Sequence, residues 1–397
     1  LEYYSKIRMQ NDPLWVEITK IFKRTERPRD LIKEVEKNGS EISSEKEDII
    51  HDNFALVLSV LDREFPEQTV PVKASVREAI DIFYKVNAGG VSLTDAELAL
   101  AQITGYWPQA REEIKAKLEE LSQNGFLFKL DFIVYVLLGV LHRNGSEMRR
   151  LHGTENDSNL RDVWKKLNDK VLDYVSNLLR SHAFVDHSHE INAVYALVPI
   201  IVYCYDRDCN LSQTETLKIV KWFYYSQLRR RYSAQLPQKL DYDLKIVTEN
   251  SSPFDRLIDV IREERGGNIS VTSDEFVGRA IKHPLFALVR WHLKTRGAKC
   301  LTTGVKIQNP MGERYQLEND HIFSYSRLKA QGYGNNNRLK YALAQELTNR
   351  AILTQVANRT KGSIEAKTYL AQVENQFPGA LQLQLIPEDP ELWKIEN

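Results

Sequence analysis

The sequence predicts a mainly α-helical chain that carries one small strand–strand–helix (ββα) unit near its C-terminus, around residues 313–376. Two observations lead there. Up to about Val260 the apolar residues recur at helical spacing, broken only by short polar turns near Asn144 and Asn156. After Gly297 the texture changes to short alternating segments separated by a Gly/Asn-rich stretch. No run of about 18 apolar residues interrupts either part, which argues against a helical membrane span.

Taken in order, "DPLWVEITKIFKR" begins with an Asp-Pro opening and continues at helical spacing. The stretch from Glu26 to Leu61 reads as a charged connection leading into a second apolar helix. In "VREAIDIFYKVNAGGVSLTDAELALAQI", Ile80, Phe83 and Val86 mark one helix face, and Asn87 to Gly90 stop the helix. Thr94 and Glu97 have the spacing of a capping box that starts the next helix. Scaffolding explains this helix-turn-helix; the Gly-Gly turn could also cradle phosphate, although no Walker-type lysine follows. "FIVYVLLGVL" (Phe132 to Leu141) is too short for a span and suits a buried helix. Phe276 to Leu293 is expected to form a further helix after the break in "REERGGNIS". Then come a strand ("ERYQLEND"), a polar loop ("KAQGYGNNNRLK"), a second strand ("NRAILTQ") and a helix ("SIEAKTYLAQVENQF"). Three regions follow: residues 1–105, 106–274 and 275–397.

With 42% apolar and 27% charged residues and no net charge, the chain is an ordinary globular one without a uniformly basic coat. Residues 281–397 nonetheless hold 16 Lys/Arg against 10 Asp/Glu, which fits a local polyanion site. Three cysteines, none in a Cys-x-x-Cys pair, suit the reducing cytoplasm. The chain opens on Leu1 rather than Met, so an N-terminal extension is expected in the native protein.

Two Asp-His dipeptides invite a chemical reading. Around Asp186-His187, the segment "SHAFVDHSHE" offers His182, His187 and His189, which could bind zinc or simply form a polar inter-helix loop. Asp320-His321 is different because Asn349 opens the next strand, Asn358 follows nine positions later, and Lys361 three beyond that. Phosphodiester hydrolysis at a compact site needs a base, a divalent cation and a group that holds the base in place. Folding the second strand back along the first can bring Asn358 near Asp320 while Asn349 braces the loop after His321. Adjacent strand residues point to opposite sides, so Asp320 and His321 share a role only if the backbone bends. Elsewhere, Arg229, Arg230 and Arg231 follow the aromatic run Trp222 to Tyr225, as a solvated face or as phosphate contacts. Arg327 and Arg359 are further basic candidates for nucleic acid.

These residues carry a resemblance. "DHIF…SRL…TNRAILTQVANRTKG" resembles the ββα-metal, or HNH, nuclease motif in its Asp-His…Asn…Asn variant. More closely, "YQLENDHIFSYSRL" with "LTNRAILTQVANRTKGSIEAKTYL" is similar to the DUF1524 domain. "IFYKVNAGGVSLTDAELALA" is similar to the signature of the DUF262 domain, and "LRRRYS" to an Arg-Tyr-Ser segment of such proteins. The resemblance implies that residues 1–105 are the helical remainder of a DUF262-like domain, 106–274 a helical middle domain, and 275–397 the nuclease domain. It implies His321 as general base, Asp320 and Asn358 as ligands of Mg²⁺ or Mn²⁺, Asn349 as the residue orienting the His321 loop, and Lys361 as a contact to the scissile phosphate. It places the Asp320 and Asn358 oxygens within about 5 Å of one another, for a hard cation bound at roughly 2.1 Å. The implied activity is metal-dependent DNA endonucleolysis in bacterial defence against modified or foreign DNA. A catalytically silent DNA-binding or nucleotide-gated module is the alternative, and an RNase a third.

Three departures from the family pattern stand out, the first being that no paired Cys-x-x-Cys motifs flank the site, so the structural zinc of some HNH relatives is not expected. Ser324 replaces a usual Pro, and the Asp-Gly-Gln-Gln-Arg motif associated with nucleotides in DUF262 proteins is missing. Any NTP site would then lie in a missing N-terminal half.

Overall fold

The computed structural model describes residues 9, 12–39, 41–64, 67, 69–74, 78, 79, 82, 94–151, 157–308 and 317–395. The predicted helix with the face Ile80, Phe83 and Val86, its Asn87–Gly90 stop and the Asn156 turn lie outside them. The chain divides into two compact units, Leu1–Lys73 and Ala74–Asn397.

In the first unit, α1 (Ile18–Phe22), α2 (Pro28–Lys37) and α3 (Ser44–Leu58) bury Ile21, Leu31, Val35 and Phe54 together. The expected charged connection is therefore largely helix. Pro28 supplies a pre-set first-turn φ, Asp30 and Lys37 complement the helix dipole, and Leu31, Ile32 and Val35 recur on the buried side.

The second unit opens with α4 (Asp95–Tyr106), where the predicted capping box forms: Glu97 N–H donates to Thr94 Oγ1 at 3.2 Å, and Thr94 N–H to Glu97 Oε2 at 2.8 Å. Next come α5 (Ala110–Gln123), α6 (Leu130–His142) and α7 (Asp157–Lys166), which runs through one π-helical turn into α8 (Leu172–His182). After these, α9 (Leu197–Asp206), α10 (Gln213–Leu228), α11 (Leu236–Glu249) and α12 (Pro253–Glu264) complete the bundle. All nine contribute to one core, from Ala96 to Ile269. The apolar run of α6 lies at its centre, as its hydrophobicity on every side requires. Gly139 lets α6 approach α9 closely, since a Cβ there would stand 3.1 and 3.2 Å from the methyls of Val202 and Val198. Among the described residues no strand occurs between 94 and 297, and no helix is long and apolar enough to cross a membrane.

The next helix differs from its expected span. Residues Ser273–Glu275 form a single 3₁₀ turn, and α13 begins only at Pro284 and ends at Thr295. Proline at the first position explains the late start, because inside a helix it would remove a hydrogen bond and clash with the preceding turn.

A second core follows, including Leu293, Cys300, Ile352, Leu353, Tyr369 and Leu370. Two strands, β1 (Leu317–His321) and β2 (Arg350–Thr354), pair antiparallel from Leu317↔Thr354 to His321↔Arg350. Between them, two short helices, α14 (Tyr325–Ala330) and α15 (Arg338–Ala344), overlap the two ends of the stretch read as polar loop, Lys329–Lys340. Asn337 starts α15 by accepting the Lys340 N–H on its side chain at 3.1 Å, so an asparagine that read as loop is a helix cap. Directly after β2, α16 (Gln355–Lys361) precedes α17 (Ala366–Gln376) and α18 (Ala380–Leu383). The sequence pattern located α17 and missed α16.

Candidate functional site

Strand alternation puts Glu318 and Asp320 on one face of β1 and Asn319 and His321 on the other. Thr354 ends β2 and caps α16 through its hydroxyl, which accepts the Ala357 N–H at 3.3 Å. That cap aims α16 back along β1. Its third-spaced residues Asn358 and Lys361 then meet the acidic face. Asn358 Nδ2 donates to Glu318 Oε2 at 2.6 Å. Lys361 Nζ donates to Asp320 Oδ2 and to the His321 carbonyl.

Asn349 lies in the 3₁₀ turn before β2 and holds the backbone that leaves β1. Its Oδ1 accepts the Phe323 N–H at 2.9 Å, its Nδ2 donates to the Ala344 carbonyl at 3.1 Å and, more weakly, to the Phe323 carbonyl at 3.4 Å. Its own carbonyl accepts the Ile322 N–H at 3.1 Å. The asparagine thus grips the two residues after His321 and ties them to the end of α15.

His321 faces away from Asp320. Pairing continues regularly to His321↔Arg350, so the strand does not bend before the histidine. The His321 ring stacks near Tyr325 with centroids 5.8 Å apart, and Nδ1 lies 3.2 Å from Arg350 Nη1. Arg350 is held in turn by Gln345 Oε1 at 2.7 Å and the Asn319 carbonyl at 3.3 Å. Nε2 of His321 is buried without a hydrogen-bond partner. Burial first, and the Arg350 charge second, push the imidazole below its ordinary pKa, with Gln345 opposing them. A guanidinium only donates, so Nδ1 accepts from Arg350, the neutral ring carries its proton on Nε2, and its free lone pair is the one that Arg350 covers.

The other expectations divide. Lys361 does not point into solvent as a phosphate contact would: its side chain is 1% exposed and its ammonium is committed to Asp320 and the His321 carbonyl. Arg231 is likewise no nucleic-acid contact, being buried against Asp243 at 2.8 Å and paired with Glu264. Arg229 is taken by Glu275 at 2.6 Å and the carbonyls of Ile269 and Ser270. Only Arg230 of that triplet is exposed. Arg327 and Arg359 are exposed, with Arg327 Nε donating to the Ser363 carbonyl at 2.7 Å. In the other Asp-His segment, Asp186 pairs with the buried Lys294 at 2.8 Å, and the His187 and His189 rings stack 3.5 Å apart. That is an inter-helix loop docked on α13.

Sequence reasoning missed Glu318, Gln345 and Arg350. Glu318 was within reach, because it stands two residues before Asp320 and so shares its strand face. Gln345 and Arg350 gave no comparable signal.

The donor chemistry fits a hard divalent ion. Glu318 and Asp320 supply carboxylate oxygens, and Asn358, whose amide nitrogen is spent on Glu318, presents its carbonyl oxygen. Among the described residues, no group of three or more His, Cys, Asp or Glu is arranged to hold a metal. The set therefore depends on the amide. No protein-family model and no curated protein matches the chain.

Proposed function

We propose that the C-terminal ββα unit is the site of a metal-dependent DNA endonuclease. The observation that carries the reading is the joint delivery of parts by β2 and α16: Asn349 clasps the backbone just after His321, while Asn358 and Lys361 reach the carboxylates of β1. Glu318, Asp320 and Asn358 would hold Mg²⁺ or Mn²⁺. Such an ion stabilises the charge that develops on the phosphorane and on the departing oxygen. His321 removes the proton from the attacking water at Nδ1, the nitrogen with the free lone pair, once Arg350 releases it. Until then Arg350 keeps the ring neutral and oriented. Because His321 and Asp320 lie on opposite strand faces, the working geometry needs a small rotation at the end of β1, which Asn349 limits. A role against modified or foreign DNA in bacteria, with any NTP control supplied from elsewhere, extends this proposal through the sequence resemblance alone.

One observation favours a second reading, a DNA-binding or regulatory module without catalysis. The Lys361 ammonium already neutralises Asp320, as a bound cation would.

Nicking of supercoiled plasmid with Mg²⁺ or Mn²⁺ separates the two. Wild type should nick, and His321→Ala should lose about 10² to 10⁴ in rate with its fold and salt-sensitive DNA binding intact. His187→Ala, in the docked loop, should cleave like wild type. Equal cleavage by all three proteins would refute the catalytic assignment, and an inactive wild type that still binds DNA would establish the second reading. Cleavage of an RNA substrate in preference to the plasmid would replace DNA by RNA.

A further inference from the structure

A cavity of about 460 Å³ opens in the second unit, and none of its lining residues belongs to β1 or β2. Its floor is built by Gln227, which is 2% exposed and locks Ala193 by accepting that residue's N–H at 2.7 Å and donating to its carbonyl at 3.1 Å. Tyr195, Tyr232 and Pro284 give it flat apolar walls. Arg230 and Lys282 stand on its lining, and both side chains belong to exposed residues.

The charge balance of this cavity is one-sided. Neighbouring arginines are neutralised, Arg229 by Glu275 and Arg231 by Asp243 and Glu264. Neither Arg230 nor Lys282 makes an ion pair among the described residues, and no Asp or Glu lines the cavity. Arg230 also holds a left-handed backbone, φ 52°, which is uncommon for a residue with a Cβ. That turn sends Arg230 to the cavity while its two neighbours turn into the protein. His283, adjacent to Lys282, is pushed below its usual pKa chiefly by burial and then by the charges of Arg279 and Arg230, with Glu275 opposing them.

Two cations on the lining of a pocket with tyrosine and proline walls match a ligand that has a phosphate at one end and a flat ring at the other. We propose that this cavity binds a nucleotide phosphoester, with the phosphate on Arg230 and Lys282 and the ring against Tyr195 and Tyr232. The volume is within the range of small-ligand sites. Arginine offers a planar fork to phosphate oxygens and lysine a point charge. The same chemistry could arrive as a free nucleotide or as one nucleotide of a single strand. This site does not depend on the nuclease reading, since it uses none of the residues of the ββα unit.

Calorimetric titration of the full chain tests it, with the four nucleoside monophosphates, the matching nucleosides and a single-stranded 12-mer as probes. A monophosphate should bind at least tenfold tighter than its nucleoside. Arg230→Gln and Lys282→Gln, both at exposed positions, should each weaken it about tenfold or more, the scale of one charge-assisted hydrogen bond. Lys115→Gln, at an exposed position far along the chain from the lining residues, should leave it unchanged. Binding of the monophosphate identifies a free nucleotide as the ligand; binding of the 12-mer alone, weakened by the same two substitutions, identifies a strand. The proposal is overturned if no probe binds, if nucleoside and monophosphate bind equally, or if neither lining substitution weakens binding.

Discussion

Replacing Lys361 by Met asks whether the ammonium stands where a cation would act. Lys361 is 1% exposed and Asp320 15%, so the pair is nearly buried, and Met keeps much of the lysine's length while removing the charge. Breaking a buried ion pair from one side typically costs about 3–5 kcal/mol. The residual exposure of Asp320 lets water compensate in part, which puts the expected loss near the low end, about 3 kcal/mol. If Glu318, Asp320 and Asn358 can hold Mg²⁺, the metal should recover most of that loss. A ligand at a hundred times its dissociation constant stabilises the folded state by about 2.7 kcal/mol. Wild type should gain less, because there the ion competes with Lys361 for Asp320.

Urea unfolding followed by circular dichroism, in EDTA and in saturating Mg²⁺, reads both effects. The gap between wild type and Lys361→Met should be wide in EDTA and should narrow in Mg²⁺. The double variant Asp320→Asn/Lys361→Met, which removes both charges, should lose the response to Mg²⁺. A gap of the same width in both buffers would show that no cation replaces the ammonium, and the metal assignment would fall with it.

Two further outcomes follow from the geometry. Asn349→Ala removes hydrogen bonds to Phe323 and Ala344 and should cost about 1–3 kcal/mol in thermal unfolding, whereas Asn349→Asp, which keeps the acceptor for the Phe323 N–H, should lose less; equal stability of the two variants would refute the clasp. Glu215, which accepts from Ser212 and from Tyr203 Oη at 2.7 Å, is held down to about 2 chiefly by the Ser212 side chain, then by Tyr203. Its folded value is below its unfolded one, so its contribution is complete above the ordinary carboxylate range and is lost as pH falls toward 2. Glu215→Gln should therefore cost about 1 kcal/mol at pH 7, the scale of a capping bond, and nothing near pH 2; a cost independent of pH would contradict that account.

Periodicity made most of the helical part legible, because a helix whose apolar residues repeat at 3.6 carries its own evidence. The buried α6 and the capping box at Thr94 are instances. Errors arose where a single residue overrides the pattern. Pro284 confines α13 to a late start although the apolar spacing begins at Phe276. Asn337 turns an apparently loop-like run of polar residues into the start of α15. In the site, Asn349 was readable as a brace because it opens β2. Lys361 was not readable as a buried cation, since its burial comes from the short helix α16, which the sequence pattern does not reveal.

The two Asp-His dipeptides show why local chemistry alone does not define a site. In each, a lysine from a helix later in the chain takes the aspartate: Lys294, fully buried, pairs with Asp186, and Lys361 pairs with Asp320. Up to that point the two solutions are the same, an acidic residue anchored by a buried ammonium. The histidines then diverge. His187 stacks on His189 and accepts the His189 backbone N–H on Nδ1 at 3.3 Å, which uses the ring as part of a turn. His321 has its Nδ1 beside Arg350, at the end of β1 just before the residues gripped by Asn349. A second acid, Glu318, and an amide, Asn358, lie on the strand face behind it, whereas Asp186 is accompanied by Glu190, which is itself tied to Arg290. The distinction between scaffold and candidate site thus rests on what the surroundings leave unspent, and that is a property of the folded arrangement rather than of the dipeptide.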